Sequence, residues 1–206
     1  MLRGSALILS AVVALGSGTC ARAPASYSDP GGRFSITLPT GWTVIPDRTL
    51  QDYNRRAGSR YTYVAAFSRT RAHSWFEYPY ALVQLWTTGV TDPESLAVAL
   101  STVEADSIPT PGLVGKPWLS AARYDRAHDL VRLESEQSSP DGRIMRSSAG
   151  FRVASFGTVG IYVYGLARDS LTTAAELDSL AAGLKIDPAH RYRSARTAPL
   201  GSPPGR

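Results

Sequence analysis

The sequence predicts an α+β fold in which an antiparallel β-sheet is covered by helices. Short segments of alternating apolar and polar residues follow one another along the 206-residue chain, and several of them are joined by tight turns. Only two segments have the residue spacing of amphipathic helices. Strands connected by hairpins pair in antiparallel fashion, and helices cover the apolar face of such a sheet. The predicted order is ββ–ββ–α–βββ(β)–α.

The first half of the domain contains four predicted strands. The first has a clear alternation, because its residues Phe34, Ile36 and Leu38 are apolar and their neighbours are polar. Trp42 opens the second strand beside them, and we expect it to be a core residue. The polar stretch 47–60 has room for one short helical turn. The four strands are Arg33–Pro39, Trp42–Ile45, Tyr61–Ser68 and Tyr80–Thr88.

A helix is predicted to begin at Asp92. This carboxylate can cap the helix, Pro93 suits the first helical position, and Glu94 places an acid in the first turn. Apolar residues recur one and two turns further on, at Leu96, Leu100 and Val103, and two prolines end any continuation.

The second half adds more strands and a closing helix. The helix begins at Asp169 or Ser170, buries Leu177, Leu180 and Ala181, and ends at Gly183. The predicted elements are a weak strand Ala121–Arg126, the strands Leu130–Gln137, Arg143–Ser155 and Thr158–Ala167, and the helix Leu171–Ala182.

The turn Ser139–Gly142 fixes a strand register. Proline sets the first dihedral angle and Gly142 supplies a left-handed residue, so a type I turn with a bulge is expected. With Ser139 opposite Arg143, Glu136 lies opposite Arg146, and Glu134 lies opposite Ser148.

The N-terminus has the layout of a secretory signal peptide. Arg3 precedes the ten-residue apolar run 6–15, and small residues follow it. A membrane-spanning helix needs about 20 apolar residues, so this run is too short for one. We therefore predict that residues 1–19 are a signal peptide and that the protein is exported.

The cleavage position has two alternatives. Cys20 follows the small residues as in a bacterial lipoprotein, where it would be acylated and hold the protein on a membrane. However, Ser17 and Thr19 depart from the usual lipobox. The alternative is cleavage after Ala25, which would extend the signal peptide to that residue.

Composition marks the remaining boundaries of the domain. Residues 20–32 are rich in Pro, Ser and Gly, which predicts a tether, and residues 189–206 have no apolar periodicity, which predicts a disordered tail. The folded domain is expected to span residues 33–188.

The opening hairpin resembles that of PsbP-like domains. The matching residues are Phe34-Ser35-Ile36, followed by Leu38-Pro39-Thr40-Gly41-Trp42. The resemblance extends over about Tyr27 to Pro188. It implies an antiparallel sheet with helices on both faces, a fold that is shared by photosystem II extrinsic proteins, a Ran-binding import factor and many exported bacterial lipoproteins. No metal-binding or photosystem-docking residue of the family can be matched in this sequence.

Composition excludes several classes of function. The formal charge is +5, but the arginines are scattered and interrupted by acids, which argues against nucleic-acid binding. One cysteine excludes a multi-thiolate metal site. The histidines His73, His128 and His190 have no metal-binding spacing, and there is no nucleophile-elbow motif. Asp125 and Asp129 fit a turn better than a catalytic pair. No cofactor or metal is predicted.

An aromatic and basic segment is the candidate binding site. Its members are Arg69, Arg71, His73, Trp75, Phe76 and Tyr78. In the functional interpretation they form an apolar site with a basic rim, for a small apolar or anionic ligand or a partner segment. In the structural interpretation the same aromatics fold back on the sheet.

The sequence thus favours an exported, non-enzymatic binding or accessory domain of the cell envelope, and its partner would be an envelope protein complex or a small ligand. The alternative is an extracytoplasmic hydrolase or transferase with a site that no motif reveals. A third possibility is assembly onto a photosynthetic or respiratory complex.

Overall fold

The computed structural model describes residues 25–57, 62–69, 77–87, 92–102 and 114–192. Three helices and eleven strands lie in these ranges. The helices are α1 Asp47–Ala57, α2 Pro93–Ser101 and α3 Ser170–Gly183. The strands are β1 Ser26–Ser28, β2 Phe34–Thr37, β3 Thr43–Val44, β4 Tyr63–Ser68, β5 Tyr80–Trp86, β6 Val114–Leu119, β7 Arg123–Asp125, β8 Leu130–Ser138, β9 Ile144–Ala154, β10 Gly157–Leu166 and β11 Leu184–Ile186.

The strands form one large and one small antiparallel sheet. The large sheet has the order β3-β4-β5-β10-β9-β8-β6, and β7 also pairs with β8. The small sheet has the order β1-β2-β11, so it joins the first described strand to the last. All pairings are antiparallel, as the sequence predicts.

Helices lie on both faces of the large sheet, as the PsbP-like resemblance implies. One core cluster joins Leu177 and Leu180 of α3 to Val83 and Ile161 of the central strands, together with the small sheet. On the opposite face, α1 packs on a tyrosine-rich cluster and α2 on a third cluster around Phe151. Successive residues of a strand point to opposite faces, so each central strand serves both layers.

The predicted hairpin of the first two strands is not formed: β2 pairs with β1 and β11 in the small sheet, whereas β3 pairs with β4 in the large sheet. Trp42, which lies between β2 and β3, is nevertheless a core residue, as predicted. Its side chain is 3% exposed and lies in the α3 cluster with Phe34 and Ile36. Its indole N–H donates to Oε2 of Glu176 at 2.8 Å, so the apolar ring is buried while its polar atom has an ionised partner.

The predicted turn and register of the β8–β9 hairpin are confirmed. Gly142 has φ +78°, and its N–H donates to the carbonyl of Ser139 at 2.9 Å. Glu136 lies opposite Arg146 and forms an ion pair with it. Glu134 lies opposite Ser148, also as predicted.

The two predicted helices are present. Asp92 caps α2 by accepting from the N–H of Ser95 at 2.8 Å, and Leu96 and Leu100 are buried, whereas Val103 lies outside the described residues. Leu177, Leu180 and Ala181 of α3 are also buried, as predicted.

The polar stretch that follows β3 forms a longer helix than its composition predicts. Residues 47–57 form the whole of α1 rather than one turn. Its two buried apolar residues, Leu50 and Tyr53, are three positions apart and so share one face. A stripe this narrow is easily missed in the sequence, because most of the helix is polar. Strand β6 is a second element that the sequence pattern does not predict.

Both boundaries of the domain lie outside the predicted limits of 33 and 188. Residues 26–28, placed in the tether 20–32, form β1, and the buried carboxylate of Asp29 binds Arg33 at 2.8 Å. At the other end, residues 189–192 of the predicted tail are described, and Arg191 forms a β-bridge with Ala154. Both corrections arise from pairing with distant strands, which local composition does not reveal.

Candidate functional site

The structure describes two of the six residues of the predicted aromatic site, Arg69 and Tyr78. Arg71, His73, Trp75 and Phe76 lie outside the described residues, as does Cys20. Arg69 forms an ion pair with Glu176 of α3. The ring of Tyr78 stacks on Tyr80 with centroids 5.3 Å apart, in the cluster beneath α1. Arg69 and Tyr78 therefore contact opposite faces of the large sheet, and the combined site stays a prediction.

A cleft of about 690 Å³ lies between the start of α2, the β7–β8 turn, the end of β9 and the C-terminal segment after α3. We call it the Arg152 cleft. Its lining combines basic side chains with two tyrosines and several aliphatic residues. The members are Pro93, Glu94, Tyr124, Arg126, Asp129, Arg152, Val153, Leu184, Lys185, Ile186, Arg191 and Tyr192.

Arg152 lies at the inner wall of this cleft and is bound mainly to neutral groups. Its Nη1 donates to the carbonyl of Leu184 at 2.9 Å, and its Nη2 donates to the carbonyl of His128 at 2.9 Å. Its Nε donates to the carbonyl of Asp129 at 3.3 Å. The side chain is only 17% exposed, and this burial lowers the pKa of Arg152. An arginine nevertheless stays charged at physiological pH.

The β7–β8 turn presents two of these carbonyls, those of His128 and Asp129, and one of its residues is in a left-handed conformation. Asp129 has φ +49°, which non-glycine residues rarely adopt. Tyr124 donates from its hydroxyl to Oδ1 of Asp129 at 2.9 Å, while Oδ2 lies 3.9 Å from Nε of Arg152. Partial burial and the bond to Asp129 raise the pKa of Tyr124 to about 12, so the phenol remains a donor.

Two cations at the rim of the cleft stand apart from this network. Lys185 is exposed at the centre of β11, between two buried neighbours. Arg191 is exposed just beyond the 3₁₀ turn Pro188–His190. Neither has an ion-pair partner within the described parts of the chain. Arg126, by contrast, donates to Oε1 of Glu94 at 3.0 Å. The cleft therefore has a net positive charge.

A second cleft of about 510 Å³ lies on the other side of the same turn, between α3 and the outer strands. Its centre is Asp125, which accepts from Nδ1 of His128 at 2.8 Å and from Nε of Arg132 at 2.9 Å. The bond from His128 is the main cause that lowers the pKa of Asp125 to about 2, and Arg132 adds to it. Arg132 also binds Asp178 of α3 at 2.6 Å.

This second cleft has the residue types of a hydrolytic site but not the contacts. The hydroxyl of Ser148 is buried and has no hydrogen-bond partner in the described regions, so His128 is not bonded to it. A serine nucleophile needs a base within about 2.6–3.2 Å. Asp125 instead accepts hydrogen bonds from His128 and Arg132, and the ion pair of Arg132 with Asp178 joins the turn to α3.

Two further properties bear on function. Across the described ranges no group of three or more His, Cys, Asp or Glu residues is placed to hold a metal ion. In the same ranges no helix is both long and apolar enough to cross a membrane.

The sequence does not indicate the Arg152 cleft, because its residues come from four separate segments. Asp129 is correctly predicted to lie in a turn, but the arginine that its carbonyl binds lies on a different strand. The one available signal is Arg152 itself, a charged residue within the otherwise apolar strand segment Gly150–Ala154.

Comparison with solved structures returns 20 similar chains, among them the following two. The first is the solution structure of cyanobacterial PsbP (CyanoP) from Synechocystis sp. PCC 6803, with 14% identity and a TM-score of 0.47, covering 84% of this chain and 99% of that chain. The second is the crystal structure of LpqN, involved in cell envelope biogenesis of Mycobacterium tuberculosis, with 12% identity and a TM-score of 0.41, covering 82% of this chain and 88% of that chain.

The first of these two chains is a PsbP protein by name, and PsbP-like domains are also the family that the motif from Phe34 to Trp42 resembles. With identities this low the likeness concerns the fold and supports no functional conclusion. No family model matches the chain, and no curated protein matches it.

Proposed function

We propose that this protein is an exported, non-enzymatic binding domain of the cell envelope, and that its Arg152 cleft binds a small anionic ligand. The proposal has three parts, export, binding and the absence of catalysis, which rest on different observations.

The export part rests on the N-terminal sequence. A positive residue, a ten-residue apolar run and small residues stand in that order before Cys20. The first described strand begins at Ser26, so a cut at either predicted position leaves the described strands and helices whole. Acylation of Cys20 would hold the domain at a membrane.

The binding part rests on one observation, the buried guanidinium of Arg152 at the wall of a cleft whose rim carries two cations without ion-pair partners in the described residues. A buried charge is costly unless its donors are satisfied. Main-chain carbonyls satisfy three donors of Arg152 and Asp129 lies 3.9 Å from its Nε, so the net positive charge of the cleft is that of Lys185 and Arg191. An anion in the cleft would meet a positive potential in a partly desolvated setting, where electrostatic attraction is stronger than in water.

The non-enzymatic part is supported by the second cleft. The carboxylate of Asp125 is held by His128 and Arg132, which lower its pKa to about 2, so it stays ionised at neutral pH and is a poor proton donor. The buried serine hydroxyl of this cleft contacts no base in the described part of the chain.

The binding part is tested by titrating the purified protein with pyrophosphate and following backbone amide shifts by NMR. We expect saturable shifts at Lys185, Arg191 and Tyr192, at the rim of the cleft. Lys185→Gln combined with Arg191→Gln should weaken binding at least about tenfold, because both side chains are exposed and the fold should be retained.

Arg48→Gln is the matched control. It removes one exposed positive charge from α1, a helix that contributes no residue to the lining of the Arg152 cleft, and it should leave pyrophosphate binding unchanged. Equal weakening by the control, or shifts spread over the whole surface, would show non-specific charge attraction and refute the binding site.

A further inference from the structure

We infer that the ligand of the Arg152 cleft is a phosphate monoester, a dianion at neutral pH. This inference rests on the proposed function and names the ligand class for the same site. Its support comes from the balance of charges, the free donors of Arg152 and the apolar part of the lining.

The balance of charges sets the charge of the ligand. Arg126 is paired with Glu94, and Arg152 lies against Asp129, so these four side chains contribute no net charge. Lys185 and Arg191 remain, each without an ion-pair partner in the ranges that the structure describes. A phosphate monoester carries a charge of about −1.5 to −2 at pH 7 and would neutralise both cations, whereas a monoanion would leave one of them.

The donors of Arg152 set the chemistry of the ligand. Three of its five N–H groups donate to the carbonyls of residues 128, 129 and 184. The two remaining N–H groups belong to the Nη atoms and have no acceptor within the described regions. Guanidinium N–H groups bind phosphate oxygens in charge-assisted hydrogen bonds, and the three main-chain bonds hold the group in place before the ligand arrives.

The size and lining of the cleft indicate that the phosphate carries an organic group. A volume of about 690 Å³ is typical of a site for a small organic molecule and far exceeds one phosphate ion. Tyr124 and Tyr192 pack beside the cluster beneath α2, and Val153 and Ile186 extend the apolar wall. An ester group would lie against these side chains while the phosphate faces the cations.

The sharpest test compares phenyl phosphate with phenyl sulfate. The two probes have nearly the same shape, but at a pH of about 7.5 the first is a dianion and the second a monoanion. We expect calorimetry to show binding of phenyl phosphate about tenfold tighter, because one more unit charge interacts with the rim. The preference should shrink as the pH falls to about 5, since the second pKa of such a phosphate is about 6.

Substitutions at the rim test whether the preference for phenyl phosphate over phenyl sulfate arises in the Arg152 cleft. Lys185→Gln and Arg191→Gln, alone and combined, should reduce the preference for phenyl phosphate to less than about threefold, whereas Arg48→Gln should preserve it. Replacing Arg152 risks the fold, because its bonds join β9 to β11 and to the turn, so the two rim variants carry the test.

Vesicles distinguish a lipid headgroup from a free ester. Phosphatidic acid presents a monoester and phosphatidylglycerol a diester, so a preference for vesicles of the first over the second assigns the phosphate to a lipid. A preference for phenyl phosphate without a preference among vesicles assigns it to a soluble ester. Both results support a monoester site.

The outcomes separate this inference from the proposed function. If pyrophosphate binds at the rim but phenyl sulfate binds as tightly as phenyl phosphate, the anion site stands and the monoester inference is refuted. If succinate binds more tightly than phenyl phosphate, the ligand class is a dicarboxylate and the inference is again refuted. If pyrophosphate does not bind, both fail.

Discussion

The contact between Trp42 and Glu176 offers a direct test of how the segment between β2 and β3 is held to α3. The indole N–H donates to Oε2 at 2.8 Å, and the other carboxylate oxygen pairs with Arg69. The perturbation is Trp42→Phe, which removes the donor and keeps a large apolar ring. Trp42→Ala, Glu176→Gln and the double variant Trp42→Phe with Glu176→Gln complete the set.

The expected losses in the free energy of unfolding follow from the burial of Trp42 and Glu176. Glu176 has a side chain only 12% exposed, so its bond from Trp42 resembles a hydrogen bond to a charged group, worth about 1.5–3 kcal/mol. Trp42→Phe should therefore lower the free energy of unfolding by about 2 kcal/mol. Trp42→Ala also loses the buried ring and should cost about 3–5 kcal/mol. The ion pair with Arg69 is half-exposed and contributes about 0.2–1 kcal/mol.

The assay is equilibrium unfolding in urea, read by far-UV circular dichroism because the substitutions alter tryptophan fluorescence. A double-mutant cycle of Trp42→Phe and Glu176→Gln should give an interaction energy of at least about 1 kcal/mol. Glu176→Gln retains an amide oxygen as acceptor, so the cycle isolates the charge-assisted part. The reasoning is refuted if Trp42→Ala costs less than about 1 kcal/mol or if the two substitutions are additive.

Three further predictions concern the anchor, the glycines and acid stability. Cys20→Ser should release the protein from membranes if Cys20 is acylated, and unchanged fractionation of the variant would exclude the lipoprotein branch without excluding export. Gly142→Ala should cost about 1 kcal/mol in urea unfolding, because only its positive φ opposes a side chain, which would otherwise meet open space. Gly183→Ala should cost much more, since its added Cβ would lie 2.1 Å from a main-chain oxygen; equal losses would contradict this ranking. A side-chain hydrogen bond from Arg33 lowers the pKa of Asp29, so its stabilisation is present above the unfolded pKa of about 3.9 and is lost as the pH falls through the folded value. Asp29→Asn should therefore flatten the acid limb of a plot of stability against pH, and an unchanged slope would contradict the assignment.

The parts of the fold that depend on local chemistry are predictable from the sequence. The β8–β9 register follows from Gly142 and its turn, and the start of α2 follows from Asp92 and Pro93. In both cases the residues that determine the structure lie within a few positions of one another. The burial of Trp42 is also predictable, because this large aromatic residue directly follows the turn after an alternating strand, but the separation of β2 and β3 into two sheets is not.

Features that depend on distant segments are not predictable in the same way. Strands β1 and β11 are three residues long, too short for a periodic signal, and β2 between them provides the pairing. The Arg152 cleft presents the same difficulty, since its cations lie close together only when β9, β11 and the β7–β8 turn are assembled in the fold. The predicted aromatic segment rests on composition alone, and its two described members, Arg69 and Tyr78, contact opposite faces of the sheet.

The small sheet has a consequence for when the protein can fold. Ile36 on β2 pairs with Leu184 on β11, and β5 pairs with β10, so both sheets require strands that are far apart in the chain. Contacts between residues so distant in sequence form slowly, because a long loop must close before they contribute stability. A chain still emerging from the ribosome lacks β11 and cannot complete the α3 core. If the protein is exported as we propose, its final packing would form only after the whole chain had passed through the translocation channel.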